Sequence, residues 1–167
     1  MKDSAWHHTQ EDEMHDIFDG HVLQNFKGAD GKHFSLGGDE GRYVFSLCVD
    51  FFNPFTNKQA GQKSSVGMIS LKCLNLPPEI RYKPKKMFLA GVVLGPREPP
   101  LDTLNHYLTP LVNNFLLFWE PGIQFSQMCT HPHRRLVCCA LVGLVCDLPA
   151  ARKTTGFAAY SHKHFCA

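Results

Sequence analysis

No apolar run in this 167-residue chain reaches the roughly 18 residues that a membrane-spanning helix needs. The longest extends from about Leu136 to Cys146. Met1 to Asp19 is polar and has no apolar h-region, so a secretory leader is not expected there. Neither sign of charge dominates: 17 Lys and Arg face 15 Asp and Glu, a formal +2. Net charge therefore neither identifies nor excludes a nucleic-acid partner, and only local clusters carry weight. Internal repeats, low-complexity tracts and linkers are absent too, which argues against solenoids and tails. What remains is 44% hydrophobic and 19% charged residues, enough for one domain with a core. The cysteines, Cys48, Cys73, Cys129, Cys138, Cys139, Cys146 and Cys166, are odd in number, and several lie inside apolar runs. That usage fits buried thiols in a reducing compartment better than a disulfide framework. A soluble intracellular protein is expected, with no membrane partner.

Residues 1–40 read as a polar extension. Asp19-Gly20 and Asp30-Gly31 favour positive φ, which predicts a hairpin or loop leading into a domain over 41–167. The cluster Trp6, His7, His8, Glu11, Asp12, Glu13, His15 and Asp16 is too irregularly spaced for a metal site and reads as a solvated tail. Arg42 to Val49, rich in β-branched and aromatic residues, predicts a strand with Asp50 at its C-terminal end. Ser65 to Leu74 and Met87 to Leu94 predict two more, each stopped by prolines, in an antiparallel meander.

The period then changes. Leu101, Leu104, Leu108, Leu111, Val112, Phe115, Phe118 and Trp119 recur at helical steps, predicting one buried helix face. Asp102 is the expected N-cap and Pro121-Gly122 the stop, with a kink at Pro110. Leu136 to Cys146 is apolar throughout, so periodicity cannot assign it. Helical character is expected early and a buried strand from about Leu141 to Cys146, ending at Asp147. Pro149 should then open a short helix closing near Gly156.

Asp50 and Asp147 each follow a buried-looking strand. A carboxylate there must be solvated, paired or bound to a cation. Oxygen ligands of this kind suit Mg²⁺ or Mn²⁺; equally, strand-end aspartates serve as turn-formers bonding nearby backbone N–H groups. Basic residues gather at Arg81, Lys83, Lys85 and Lys86, at Arg134 and Arg135, and at Arg152 and Lys153. Each group suits DNA phosphates or a solvated loop. Cys138, Cys139 and Cys146 sit in apolar surroundings that keep thiols protonated.

A series of short blocks bears on these alternatives. Val49-Asp50-Phe51-Phe52-Asn53-Pro54-Phe55 is followed by Leu74-Asn75-Leu76-Pro77-Pro78 and Phe88-Leu89-Ala90-Gly91 with Gly95-Pro96. Then come Tyr107-Leu108-Thr109-Pro110-Leu111-Val112, Trp119-Glu120-Pro121-Gly122 and Cys146-Asp147-Leu148-Pro149-Ala150. In order and spacing they resemble the catalytic domain of CACTA-type (En/Spm) DNA transposases of the fungal-like kind. The resemblance implies an α/β, ribonuclease-H-like mixed sheet, its first three strands antiparallel, with flanking helices. It implies that Asp50 and Asp147 are the first two catalytic aspartates, holding Mg²⁺ or Mn²⁺ in a two-metal site for DNA cleavage and strand transfer. DNA, as transposon ends, and a nuclear location follow from the same likeness. His162, His164 and Cys166 look like the start of the family's zinc-type motif. The family's third carboxylate lies downstream of the second, and Glu120 and Asp102 fall between the two aspartates, in the wrong order for that role. The expectation is thus an incomplete N-terminal part of the domain, inactive alone. The alternative is a non-catalytic transposon remnant that binds DNA or protein.

Overall fold

The computed structural model describes residues 14–34, 38–55 and 64–157. Its centre is a five-stranded mixed sheet in the order β3-β2-β1-β5-β4, formed by β1 (Gly41–Phe52), β2 (Ser65–Cys73), β3 (Met87–Gly95), β4 (Ile123–Phe125) and β5 (Arg135–Leu144). The first three strands form the expected antiparallel meander. β5 then returns parallel to β1, and β4 lies antiparallel on the outer side of β5. Short helices α1 (His21–Gln24) and α2 (Pro78–Arg81), the long α3 (Leu101–Trp119) and α4 (Leu148–Thr155) complete the described elements, with one 3-10 turn at Ile17–Asp19 and another at Pro84–Lys86.

Alternation along β1 sends its side chains to two different cores. Leu47 and Val49 join Ile69, Leu71 and Val93 beneath Leu104 and Leu108 of α3, with Phe45 and Phe51 packed at the margin. Val44 lies on the opposite face with Leu74, Cys138 and Ala140, covered by Phe18, Leu23 and Phe34. The segment read as a polar extension therefore carries three buried core residues, and 14–34 belongs to the packed unit. Isolated apolar residues in polar surroundings hide this role until their partners are known.

Four further expectations need correction. Arg135–Leu144 is strand throughout; its early part is not helical, because Gly41 to Val44 offer it a parallel partner from Val137 to Ala140. β1 continues through Asp50 to Phe52 because β2 pairs with it that far, so Asp50 lies within the strand. α3 begins at Leu101 behind Pro100 without a side-chain cap, so Asp102 is not its N-cap, and Pro110 lies inside the helix. Val112, expected on the buried face, is exposed. β4 follows the Pro121-Gly122 stop. At Gly122 (φ 86) a Cβ would come within 2.9 Å of Cys138 Sγ and 3.1 Å of Val137 O, so both the turn and the packing require glycine there. Among the described residues no helix is long and apolar enough to cross a membrane.

Leu104 is completely buried, whereas Leu116 on the same helix is 58% exposed. Leu104→Ala should therefore cost about 3 kcal/mol and Leu116→Ala under about 1 kcal/mol. Urea denaturation of the two variants measures the contrast.

Candidate active site

The geometry of interest starts from the pairing of β1 with β5. Phe45 faces Leu141, but Ser46 faces Gly143, so one extra residue, Val142, bulges from β5. The bulge changes which residues face α3: Val142 packs with the Val44 core, whereas Leu144 and Cys146 pack with the Leu104 core. Beyond the last strand residue the parallel association continues. Val145 N–H donates to Leu47 O at 2.8 Å, and Val49 N–H donates to Cys146 Sγ at 3.0 Å. Asp50 follows Val49 and Asp147 follows Cys146, so each aspartate stands one residue beyond that last contact.

Their surroundings differ. Asp50 is exposed, pairs in register with Met68 and, one residue on from buried Val49, projects from the sheet face opposite α3. It makes no side-chain hydrogen bond or ion pair among the described residues. Asp147 is exposed as well, but it is the N-cap of α4: one carboxylate oxygen accepts the Ala150 N–H at 2.9 Å. Pro149 in the first turn and Gly156 at φ 78 beyond the last turn define this helix, as the sequence led one to expect. The turn-forming role is therefore real for Asp147. It uses one oxygen, and the other remains open to solvent.

The thiols in and just after β5 are poor nucleophiles and poor ligands. Burial pushes Cys146 up to about 11, although the Val49 N–H opposes the shift. Burial likewise pushes Cys139 up to about 12 and raises Cys138. All three are protonated at neutral pH. Among the described residues no three His, Cys, Asp or Glu side chains gather into a metal-holding group.

The basic residues divide sharply. Arg81, expected to face DNA, is buried: its guanidinium donates to Asp16 at 3.0 and 2.7 Å and to Leu76 O at 2.8 Å. It ties the N-terminal segment to the loop after β2, because a guanidinium enclosed this far needs a paired carboxylate. Lys153, also expected at DNA, holds Glu98 at 2.8 Å and lies 5.6 Å from the Phe51 ring centroid. It fastens α4 to β1 and to the loop before α3. Arg152 is half-buried on α4, and Arg135 is buried on the backbone oxygens of Asp39 and Glu40. Lys83, Lys85 and Lys86 are exposed. His162, His164 and Cys166, and Trp6 through Glu13, lie outside the described residues.

One cluster escaped the sequence reading. At the far end of β1, buried Arg42 is bound by Asp30 and by Glu40, the latter at 2.9 Å, and its guanidinium carbon is 5.5 Å from the Phe34 ring centroid. A cavity of about 180 Å³ between this cluster and Trp119, Leu136 and Cys138 is rimmed by these same groups. Two acids already occupy the guanidinium, so the cluster fastens the 26–34 hairpin to the sheet. A charged residue at a strand start, preceded by acidic turns, was the only signal.

With this geometry in place, comparison with known proteins decides the lineage. The description "Transposase family tnp2" matches residues 14–167. The chain belongs to that transposase family. No curated protein matches it, and neither does any solved structure. The tnp2 match starts at residue 14, so it includes the segment whose Phe18, Leu23 and Phe34 complete the second core.

The Arg42 cluster predicts how this transposase-family chain responds to acid. The hydrogen bond from Arg42 holds Asp30 below the usual carboxylate range, against a smaller effect of burial. A lowered folded value means stability that is present above the ordinary aspartate pKa and is lost as pH falls through the lowered one. Asp30→Asn should lower the melting temperature at pH 7 and flatten its fall below about pH 4. Thermal melts from pH 7 to pH 2 check both effects.

Proposed function

We propose that this chain carries the first two metal-binding carboxylates of a CACTA-type DNA transposase catalytic centre, Asp50 and Asp147, on a ribonuclease-H-like sheet. The observation that supports the reading is the Val49 N–H to Cys146 Sγ contact at 3.0 Å, one residue before each aspartate, with Asp50 in β1 and Asp147 at the N-cap of α4. The strand order β3-β2-β1-β5, antiparallel twice and then parallel, supports the fold assignment, with β4 an addition at the edge.

The donor set fits one hard divalent ion. Asp50 and the free oxygen of Asp147 are exposed acceptors, and Mg²⁺ or Mn²⁺ takes one or two carboxylates and keeps several waters. Such an ion supplies Lewis-acid stabilisation of the charge that develops on phosphate oxygens. The protein's own part is positional. The Ala150 N–H orients the Asp147 carboxylate, and pairing with β2 fixes the Asp50 backbone. A two-metal displacement needs ions about 3.5–4 Å apart and therefore another acidic ligand, beyond these two side chains. The substrate class is DNA, which implies a nuclear location. The second reading, a non-catalytic DNA- or protein-binding module, draws on the structural use of Asp147 as a helix cap.

Mn²⁺ binding followed by electron paramagnetic resonance separates the two. One weak site is expected, weakened at least about tenfold by either Asp50→Asn or Asp147→Asn. Asparagine also caps helices, so Asp147→Asn should leave the melting temperature nearly unchanged. Nicking of supercoiled DNA by the chain alone is expected to stay below detection. Unaltered Mn²⁺ binding in both variants would sink the metal-site reading.

A further inference from the structure

We propose that Lys72, Tyr82, Lys83, Lys85 and Lys86 form a docking surface for the sugar–phosphate backbone of duplex DNA, separate from the aspartates. The choice of duplex DNA among polyanions rests on the transposase reading above; the surface itself rests on how this fold disposes of its cations. Arg42, Arg81 and Lys153 are held by carboxylates, Lys32 sits 3.7 Å from Asp30, and Arg135 is held by backbone oxygens. Lys83, Lys85 and Lys86 are all exposed, and none has an acidic partner among the described residues. Glu79, in the same stretch, forms no ion pair with them.

The surface is built rather than merely charged. Arg81, buried on Asp16 and Leu76 O, anchors the base of the turn that presents Tyr82 to Lys86. Lys72 Nζ lies 5.4 Å from the Tyr82 ring centroid, and that ring is 57% exposed. An ammonium group over an open aromatic ring offers a phosphate contact beside an apolar plate for a deoxyribose. Lysines act as point charges without the planar fork that reads base edges, so the contact is with the backbone and blind to sequence.

Register ties this surface to the aspartates. Lys72 pairs with Ser46, and Met68 pairs with Asp50. Lys72 therefore shares Asp50's sheet face and stands about 13 Å away along the strands. At 3.4 Å of axis per nucleotide of one strand, that is about four base-pair steps.

The test is fluorescence anisotropy with a labelled duplex of about 20 base pairs, without divalent metal, titrated with salt. The fourfold variant K72Q/K83Q/K85Q/K86Q, altered only at surface side chains, should bind at least about tenfold more weakly at low salt. The slope of log K against log salt should be shallower by about three. An unchanged slope, or absence of wild-type binding, overturns the proposal. So does displacement of the duplex by polyglutamate as efficiently as by unlabelled duplex of equal charge, which would make this a site for acidic protein. Mn²⁺ binding by the fourfold variant should equal wild type. The metal reading is thus judged on Asp50 and Asp147, and either idea can fail without the other.

Discussion

The parallel pairing of β5 with β1, and the one-residue bulge at Val142, is the constraint on which the rest depends. Because side chains alternate with period two, a register shift of one residue moves every later side chain to the other face. Without the bulge, Leu144 would lie opposite Cys48 rather than Leu47 and would leave the α3 core. Cys146 would no longer meet the Val49 N–H, and α4 would start from the wrong face. Its contacts, from Ala150 buried at 7% exposure to the Lys153–Glu98 pair, all lie downstream of that one residue. Core packing and the position of Asp147 are thus one and the same requirement.

A second pair of constraints is electrostatic. Arg42 and Arg81 are almost fully enclosed, and each is joined to acids brought from elsewhere in the chain. Removing one partner of such a pair leaves a buried charge uncompensated, which costs far more than a surface pair contributes. These two guanidinium groups hold the 14–34 segment against the sheet alongside Phe18, Leu23 and Phe34.

Much of this was legible in the sequence, for identifiable reasons. β-branched and aromatic runs stopped by prolines defined β1 to β3, a period of three and four residues defined α3, and the Asp-x-Pro pattern with a following glycine defined α4. Elsewhere the local signal was silent or misleading. A strand flanked on both sides and covered on both faces carries no alternation, so the start of β5 had no period to read. β4 is too short to register at all. Asp50 was taken for a terminus because the residues after it are turn-rich, whereas pairing with Val66 to Met68 carries β1 two residues further. Arg81 stands in a basic stretch, and its carboxylate partner is 65 residues away; nothing local distinguishes it from the exposed lysines that follow.

The two aspartates also show how a structural role and a proposed chemical one can coexist. A carboxylate has two oxygens, and capping α4 uses one of them. The same hydrogen bond restricts the rotamers of the side chain, so less freedom is lost when the other oxygen meets a cation. Asp50 has no such restraint on its side chain, but its backbone is fixed on one side by the β2 ladder at Met68, and its neighbour Val49 is held on the other by the Cys146 thiol. One ligand is thus oriented by its own side chain and the other by its strand. The rigidity of both derives from the hydrogen bonds that hold the sheet together, so a change that loosened the β1–β5 contact would disturb any cation site there before it unfolded the core.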